Sequence, residues 1–246
     1  FTELDPYRGV NANMHTVEAF LAAADAIGDE KYRVRAGRII DHVISWAKNN
    51  SWRIPEHFYS NWEPDRNATN NVLTISSSHT EPLLATELNG ETDYPVGSFY
   101  NKEDKTGAAP YIQAAEELYN RAIADGWNAD GAPGIVYTTD WDGNPIVHDR
   151  MHWTLAEAIN TSAVLYRVTG KEKYTADYAE FMAYLDEKVL DHVNGSWFHQ
   201  LDRQNHLLTT VWPGKSDIYH ALQSTLIPYC NPGLSVAAAV KKQDYA

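Results

Sequence analysis

The chain has 246 residues, 43% hydrophobic and 12% aromatic, with 20 Lys and Arg against 33 Asp and Glu for a formal charge of -13. That is enough apolar material for one globular core, and an acidic chain without a Lys/Arg cluster repels phosphate backbones and anionic lipid, which excludes nucleic acid and membrane surfaces as partners. The single cysteine, Cys230, excludes a disulfide scaffold and a cysteine-based zinc site, and no apolar run approaches the roughly 18 residues of a membrane span.

The chain opens at Phe1 with the polar residues Thr2, Glu3 and Asp5 and shows no targeting segment. It is therefore read as cytoplasmic, and as either processed or preceded by further chain. From Asn13 to Ile27, Val17, Phe20, Leu21 and Ala24 recur at helical spacing, and Gly28-Asp29 supplies a stop. A second helix follows from Glu30 to Asn49-Asn50, with Tyr32, Ala36, Ile39, Ile40, Val43 and Trp46 on one side. Two helices joined by so short a turn form an antiparallel hairpin.

Residues 64–109 break the pattern. They are rich in Asn, Thr, Ser and Gly, lack sustained periodicity, and exceed the roughly 12 to 15 residues of a structureless connection. Helical spacing resumes from Tyr111 to Asp125. Ile135–Thr139 and Pro145–Val147 then flank Asp142-Gly143, a strong hairpin turn. Further helices are predicted over Tyr174–Val189 and Ser216–Leu226, and between them Trp197–Leu201 and Leu207–Trp212 flank Asp202–His206 as a second hairpin.

An internal repeat runs through these elements. Met14-His15 with Glu18-Ala19 matches Met151-His152 with Glu157-Ala158, Gly28–Tyr32 matches Gly170–Tyr174, and Ser51-Trp52 matches Ser196-Trp197, always about 140 residues apart. Repeated helix pairs bury their apolar faces against their neighbours, so stacked helical hairpins are expected.

Ten histidines are many for this length, and His15, His57, His152 and His220 sit in polar-aromatic runs. Histidine is the side chain best matched to proton transfer near neutral pH. On a helix, His15 and Glu18 share a face, as do Asp217 and His220, and a carboxylate beside an imidazole fixes its tautomer. Neither His-Glu-x-x-His nor an EF-hand loop is present, so no metal is expected. Nor is there a Gly-rich phosphate loop or a Gly-x-Ser-x-Gly elbow. Trp52, Trp62, Trp141, Trp153, Trp197 and Trp212 fall near predicted element ends, where indole rings make apolar platforms suited to a sugar.

Five blocks then carry a resemblance: Tyr7–His15, Arg53–Phe58, Val136–Gly143, Asp149–Trp153 with Glu157-Ala158, and Val211–Lys215 with Asp217, Tyr219 and His220. In content and order the chain resembles the N-acylglucosamine 2-epimerase family, in its mannose isomerase and sulfoquinovose isomerase branch. The resemblance implies an all-α fold, part of a six-hairpin α/α toroid with short antiparallel β-hairpins at the helix ends. It further implies a cofactor-free sugar isomerase or epimerase that works at carbons 1 and 2 of a mannose-like aldose through an enediolate. By resemblance His220 is an acid/base histidine, Glu157 an essential carboxylate and His15 the residue for ring opening. Asn11, Trp153 and Asp217 are implied as substrate contacts, and the partner is a monosaccharide.

One family block, Pro-Tyr-Gly-Ala-Thr-x-x-Gly-His-x-x-Glu-Trp, carries the other catalytic histidine and is absent from its place between Trp62 and Tyr111. His79–Gly90 stands there instead. Reading the third base of each codon with the first two of the next, from Ser78 onward, permits every defined position of that block in register. Residues 64–109 are accordingly read as an out-of-frame insert, to be checked by sequencing the encoding DNA.

An inverting glycoside hydrolase on a related barrel, with two carboxylates about 6.5 to 9.5 Å apart drawn from Asp140, Asp142, Glu157 and Asp217, stays open as an alternative. So does an inactive sugar-binding fragment. A closed ring of six hairpins needs on the order of 350 residues, so residues 1–246 are expected to form a single incomplete barrel domain, the C-terminal part of a longer one. Its open edge would expose apolar surface for a second copy of the chain.

Overall fold

In the computed structural model, which describes residues 8–66, 72–73, 109–211 and 213–244, the chain folds as helical hairpins whose ends are tied by two-residue strands. In order, the elements are β1 (Arg8–Gly9), α1 (Val10–Ile27), α2 (Lys31–Lys48), β2 (His57–Phe58), β3 (Val72–Leu73), α3 (Ala109–Gly126), β4 (Thr138–Thr139), β5 (Pro145–Val147) and β6 (Arg150–Met151). There follow α4 (His152–Thr169), α5 (Lys173–Tyr184) with a π-helical turn at Leu185–Val189, β7 (Gln200–Leu201), α6 (Ile218–Leu226) and α7 (Val236–Lys242).

The repeat seen in the sequence is a repeat of structure. β1 pairs antiparallel with β2, Arg8 opposite Phe58 and Gly9 opposite His57; β6 pairs with β7, Arg150 opposite Leu201 and Met151 opposite Gln200. Each pair brackets a helical hairpin. The first helix of each ends on a left-handed glycine, Gly28 at φ 73° and Gly170 at φ 69°, whose N–H closes onto the carbonyl of Ala24 (2.8 Å) or Tyr166 (2.7 Å). Only glycine holds that conformation without a Cβ penalty, which is why both hairpins turn there.

α4 lies at the centre, packed by α5 and α6 and touching α3, whereas α1 packs on α2 and α7. Ile159 and Leu165 of α4 are fully buried with Leu118 and Tyr119 of α3 and Tyr174 and Phe181 of α5. Each such aliphatic or Phe side chain contributes roughly 1.5 to 3 kcal/mol relative to exposure. At the head of α4, Arg150 is buried and satisfied throughout. Its guanidinium donates to both oxygens of Asp130 (2.7 and 3.0 Å) and to the carbonyls of Pro133 (3.1 Å) and Ala132 (3.0 Å), so the loop before β4 is locked to the entry of α4.

Several expected boundaries move. α1 begins three residues before the predicted Asn13: Gly9 of β1 is its N-cap, with no side-chain cap bond, and Asn13 Nδ2 donates to the Gly9 carbonyl at 2.7 Å from within the first turn. That places Asn11 on the helix. The Asp142-Gly143 hairpin forms between β4 and β5, with β3 added on the other edge of β4. The second predicted hairpin is reduced to a turn with one bridge, Leu201 to Leu207, because beyond Leu208 the Val211 N–H goes to the Gln200 side chain rather than to a ladder; the regular partner of β7, on its other edge, is β6. α7 was not anticipated; Ser235 caps it by accepting from the Ala238 N–H.

Within 64–109 only Pro64–Arg66, Val72–Leu73 and the first residue of α3 are described, so the His79–Gly90 segment of the reading-frame argument lies outside the described residues, as do Tyr7 and Trp212. Among the described residues no helix is long and apolar enough to cross a membrane.

Candidate active site

The heads of α4 and α6 meet around one carboxylate. Asp217 is the N-cap of α6, and its Oδ2 accepts from two imidazoles at once, from His220 Nδ1 at 2.6 Å and from His152 Nε2 at 2.8 Å. A carboxylate can only accept, so each of these ring nitrogens carries a proton. With Nδ1 committed, His220 turns Nε2 toward Glu157 Oε1, 4.0 Å away and one helical turn along α4 from Trp153. The Trp153 ring flanks the His220 ring at 5.9 Å between centroids, and Tyr219 meets it edge-on at 4.9 Å.

Beneath this group His152 is stacked on His199 with ring centroids 4.2 Å apart. The backbone N–H and Nδ1 of His152 both face the His199 carbonyl, at 3.0 and 3.1 Å, and the Asp217 N–H donates to His199 Nε2 at 3.2 Å. The connection to α6 is held in place. Gln200, fully buried, donates to Asp149 (2.6 Å) and Thr210 (3.0 Å) and accepts from the Val211 N–H (3.0 Å), while Lys215 pairs with Asp191 and lies over the Phe198 ring.

Burial sets the protonation of this cluster. It pushes the Asp217 carboxyl up, but the bonds from His220 and His152 outweigh it and hold that carboxyl at about 2. For His152, burial lowers the proton affinity and outweighs the two acceptors that raise it. His199 is lowered as well, by burial and then by its stacked neighbour. The cluster therefore centres on an ionised carboxylate shared by His152 and His220, with burial holding both imidazoles beneath it, His152 and His199, below the ordinary histidine value.

α1 forms a second wall. His15 Nδ1 bonds Glu18 Oε2 at 2.8 Å, which raises the His15 pKa, and Tyr219 Oη donates to the same Glu18 oxygen at 3.1 Å, so α1 and α6 are joined beside His220. The Asn11 N–H donates to Glu56 Oε1 at 3.5 Å. Tyr137 feels the Glu56 charge, its hydroxyl raised by burial and then by that carboxylate, and stands edge-on to Trp153 at 5.8 Å.

The structure thus brings all six residues singled out in the sequence, Asn11, His15, Trp153, Glu157, Asp217 and His220, to the heads of α1, α4 and α6. Of the other indoles, Trp197 is buried in the core and Trp62 stacks on Trp46 (5.5 Å) away from this cluster. Sequence reasoning did not place His199, Glu56, Tyr137 and Tyr219 in a site, although the last three lie inside the quoted blocks, and it noted His152 without a role. Among the described residues His152, Asp217 and His220 are the set whose atoms could hold a metal ion. Their separations of 2.6 and 2.8 Å suit shared protons, whereas ligands around a tetrahedral zinc at ~2.0 to 2.1 Å stand about 3.3 Å apart.

Stacked helical hairpins with an imidazole–carboxylate cluster at their heads, flanked by indole and phenol rings, place the chain among α/α-barrel proteins. The chain matches the N-acylglucosamine 2-epimerase (GlcNAc 2-epimerase) profile over residues 1–224 and belongs to that family. It is 37% identical to a D-mannose isomerase of Pseudomonas cannabina pv. alisalensis over 99% of the chain and 59% of the relative. It is also 37% identical to one of Thermobifida fusca over 96% of the chain and 58% of the relative. The chain therefore spans about three-fifths of the length of these curated relatives. A crystal structure of D-mannose isomerase superposes with a TM-score of 0.76 at 22% identity, covering 98% of this chain and 58% of that one. A family 76 glycoside hydrolase α-mannanase from Bacteroides thetaiotaomicron shares the fold with a TM-score of 0.59 at 15% identity, covering 80% of this chain and 49% of that one.

Proposed function

We propose that the chain is the acid/base-bearing part of a sugar isomerase that interconverts a mannose-like aldose and its ketose at carbons 1 and 2. One observation carries the reading: Asp217 occupies Nδ1 of His220, so the lone pair of Nε2 is presented to the cleft between Glu157 and the Trp153 ring. His15, made more basic by Glu18, transfers the proton that opens the sugar ring. His220 Nε2 then removes the proton from the carbon next to the carbonyl. The C–H electron pair moves into an enediolate, and the imidazolium, its proton exchanging with solvent during the lifetime of that intermediate, delivers a proton to the neighbouring carbon. The Asp217 carboxylate stabilises the transient imidazolium, Glu157 orients the sugar hydroxyls, and Asn11 and Trp153 hold the ring through hydrogen bonding and apolar stacking. The relatives called D-mannose isomerase support mannose as the first sugar to try.

An inverting hydrolase needs a protonated carboxyl as general acid. Asp217 stays ionised to about pH 2. Asp140 is consumed by its own turn, accepting from the backbone N–H of Asp142 (2.9 Å) and Asn144 (2.8 Å) and from Asn144 Nδ2 (2.9 Å). Incubation with mannose followed by chromatography is the test: fructose or glucose is the expected product. Release of reducing ends from a mannoside, with no interconversion of the free sugar, would overturn the reading.

A further inference from the structure

The isomerase reading uses His220, Glu157 and His15, and leaves unexplained why a second imidazole is buried on the far side of Asp217. The side chain of His152 is fully buried, yet neither of its nitrogens faces an apolar neighbour: Nε2 points at Asp217 and Nδ1 at the His199 carbonyl. A fully buried ring of that polarity is costly unless its bonds do something an apolar side chain of similar size could not.

The geometry of Asp217 indicates what that is. As the N-cap, the carboxylate accepts from the His220 backbone N–H with Oδ1 at 3.4 Å while its Oδ2 accepts from both imidazoles, at 2.8 and 2.6 Å. One carboxylate thus caps α6 with one oxygen and serves the two rings with the other. The Asp217 N–H, anchored on His199 Nε2, fixes the backbone from which this side chain swings. Without the donor at His152, no residue outside α6 fixes Oδ2, and the carboxylate is free to turn about its Cβ–Cγ bond at the cap and leave His220 Nδ1.

We propose that His152 is a positioning residue which, by donating from Nε2 to Asp217 Oδ2, fixes the rotation of that carboxylate so that the same oxygen stays on His220 Nδ1, thereby setting the His220 tautomer whose bare Nε2 faces Glu157. Asp217 is then an orienting residue shared by two imidazoles rather than a sugar contact. The catalytic meaning of this arrangement rests on the isomerase reading; the arrangement itself does not.

Histidine ring nitrogens labelled with nitrogen-15 report their protonation directly by NMR, at a pH well above the ordinary value of ~6.5. In the unsubstituted chain His220 is expected to carry its proton on Nδ1 and His152 on Nε2. In His152→Leu, which removes the donor at similar volume, His220 should revert to the Nε2–H form favoured by free imidazole. In His152→Gln, whose side-chain amide can still donate to Asp217, the Nδ1–H form should return. Retention of the Nδ1–H form in a folded His152→Leu chain would overturn the proposal. Should that variant not fold, a proton on His152 Nδ1 in the unsubstituted chain, directed to the His199 carbonyl, would overturn it alone. Neither readout depends on turnover, so loss of the isomerase reading and loss of this proposal are separate results.

Discussion

α1 and α4 occupy equivalent places in the two copies of the repeat, each 18 residues long, entered from a two-residue strand and ended by a left-handed glycine. Their surroundings differ. Five residues of α1 are buried, all apolar and all on one side, whereas thirteen of α4 are buried, among them His152, Thr154, Glu157, Asn160, Thr161 and Ser162. Polar groups are taken out of water at a cost of a few kcal/mol each unless they are bonded, and in α4 Thr154 and Ser162 meet that condition on carbonyls of the chain just before them (2.7 and 2.9 Å) and His152 on Asp217 (2.8 Å). The same repeated scaffold is thus a half-exposed wall in one copy and the floor of the candidate site in the other.

Substitution of the two histidines tests that division most severely. His220→Ala should lower any sugar turnover by about a hundredfold to ten-thousandfold, the usual share of a general acid/base, with a thermal midpoint little changed. His15→Ala, on the exposed wall, should cost about tenfold, because ring opening also proceeds in water. Equal losses in steady-state assays of the two variants would erase the distinction between the copies.

Acid stability separates them next. Because burial lowers His152 and His199, the unfolded chain binds protons below ~6.5 that the folded chain refuses, and stability should fall as the pH drops below that value. Asp217 adds about 2 kcal/mol above 3.8, lost as the pH falls from there toward about 2. His15 has the opposite sign: its raised pKa stabilises below ~6.5 and the contribution disappears as the pH rises through the folded value, weakly since the pair is partly exposed. Urea midpoints measured from about pH 3 to 8 should therefore decline on the acid side. Midpoints that rise on acidification would contradict the assigned protonation of the α4 copy.

The smallest effect bears on what the copies share. A Cβ at Gly28 or Gly170 meets no atom within 4 Å, so either Gly→Ala substitution acts only through the left-handed backbone. Each should cost about 1 kcal/mol, the same within error in denaturant melts. Unequal costs would mean that the two turns are not equivalent.

The equivalence of the copies was legible in the sequence because it resides in local signals, the glycine stops at Gly28 and Gly170 and the apolar spacing before them. The pairs His15 with Glu18 and Asp217 with His220 were legible for the same reason, lying three residues apart. His152 and Asp217 are separated by 65 positions and joined only because β7 folds back onto β6, a register that no short-range pattern encodes. The second hairpin was overextended on the same ground: Asp202–His206 does turn the chain back to the bridge of Leu201 with Leu207, but beyond Leu208 the chain bonds the Gln200 side chain through Thr210 and the Val211 N–H instead of continuing a ladder. His199 was invisible because its contribution is made largely through its carbonyl and its ring face, which residue type does not disclose.

Proton NMR of mannose or fructose incubated with the chain in D2O tests the central claim most directly. The account predicts deuterium entering at carbon 1 or carbon 2 with the unsubstituted chain and not with His220→Ala. Sugar recovered with no deuterium at either carbon, or equal incorporation with the His220→Ala chain, would contradict it.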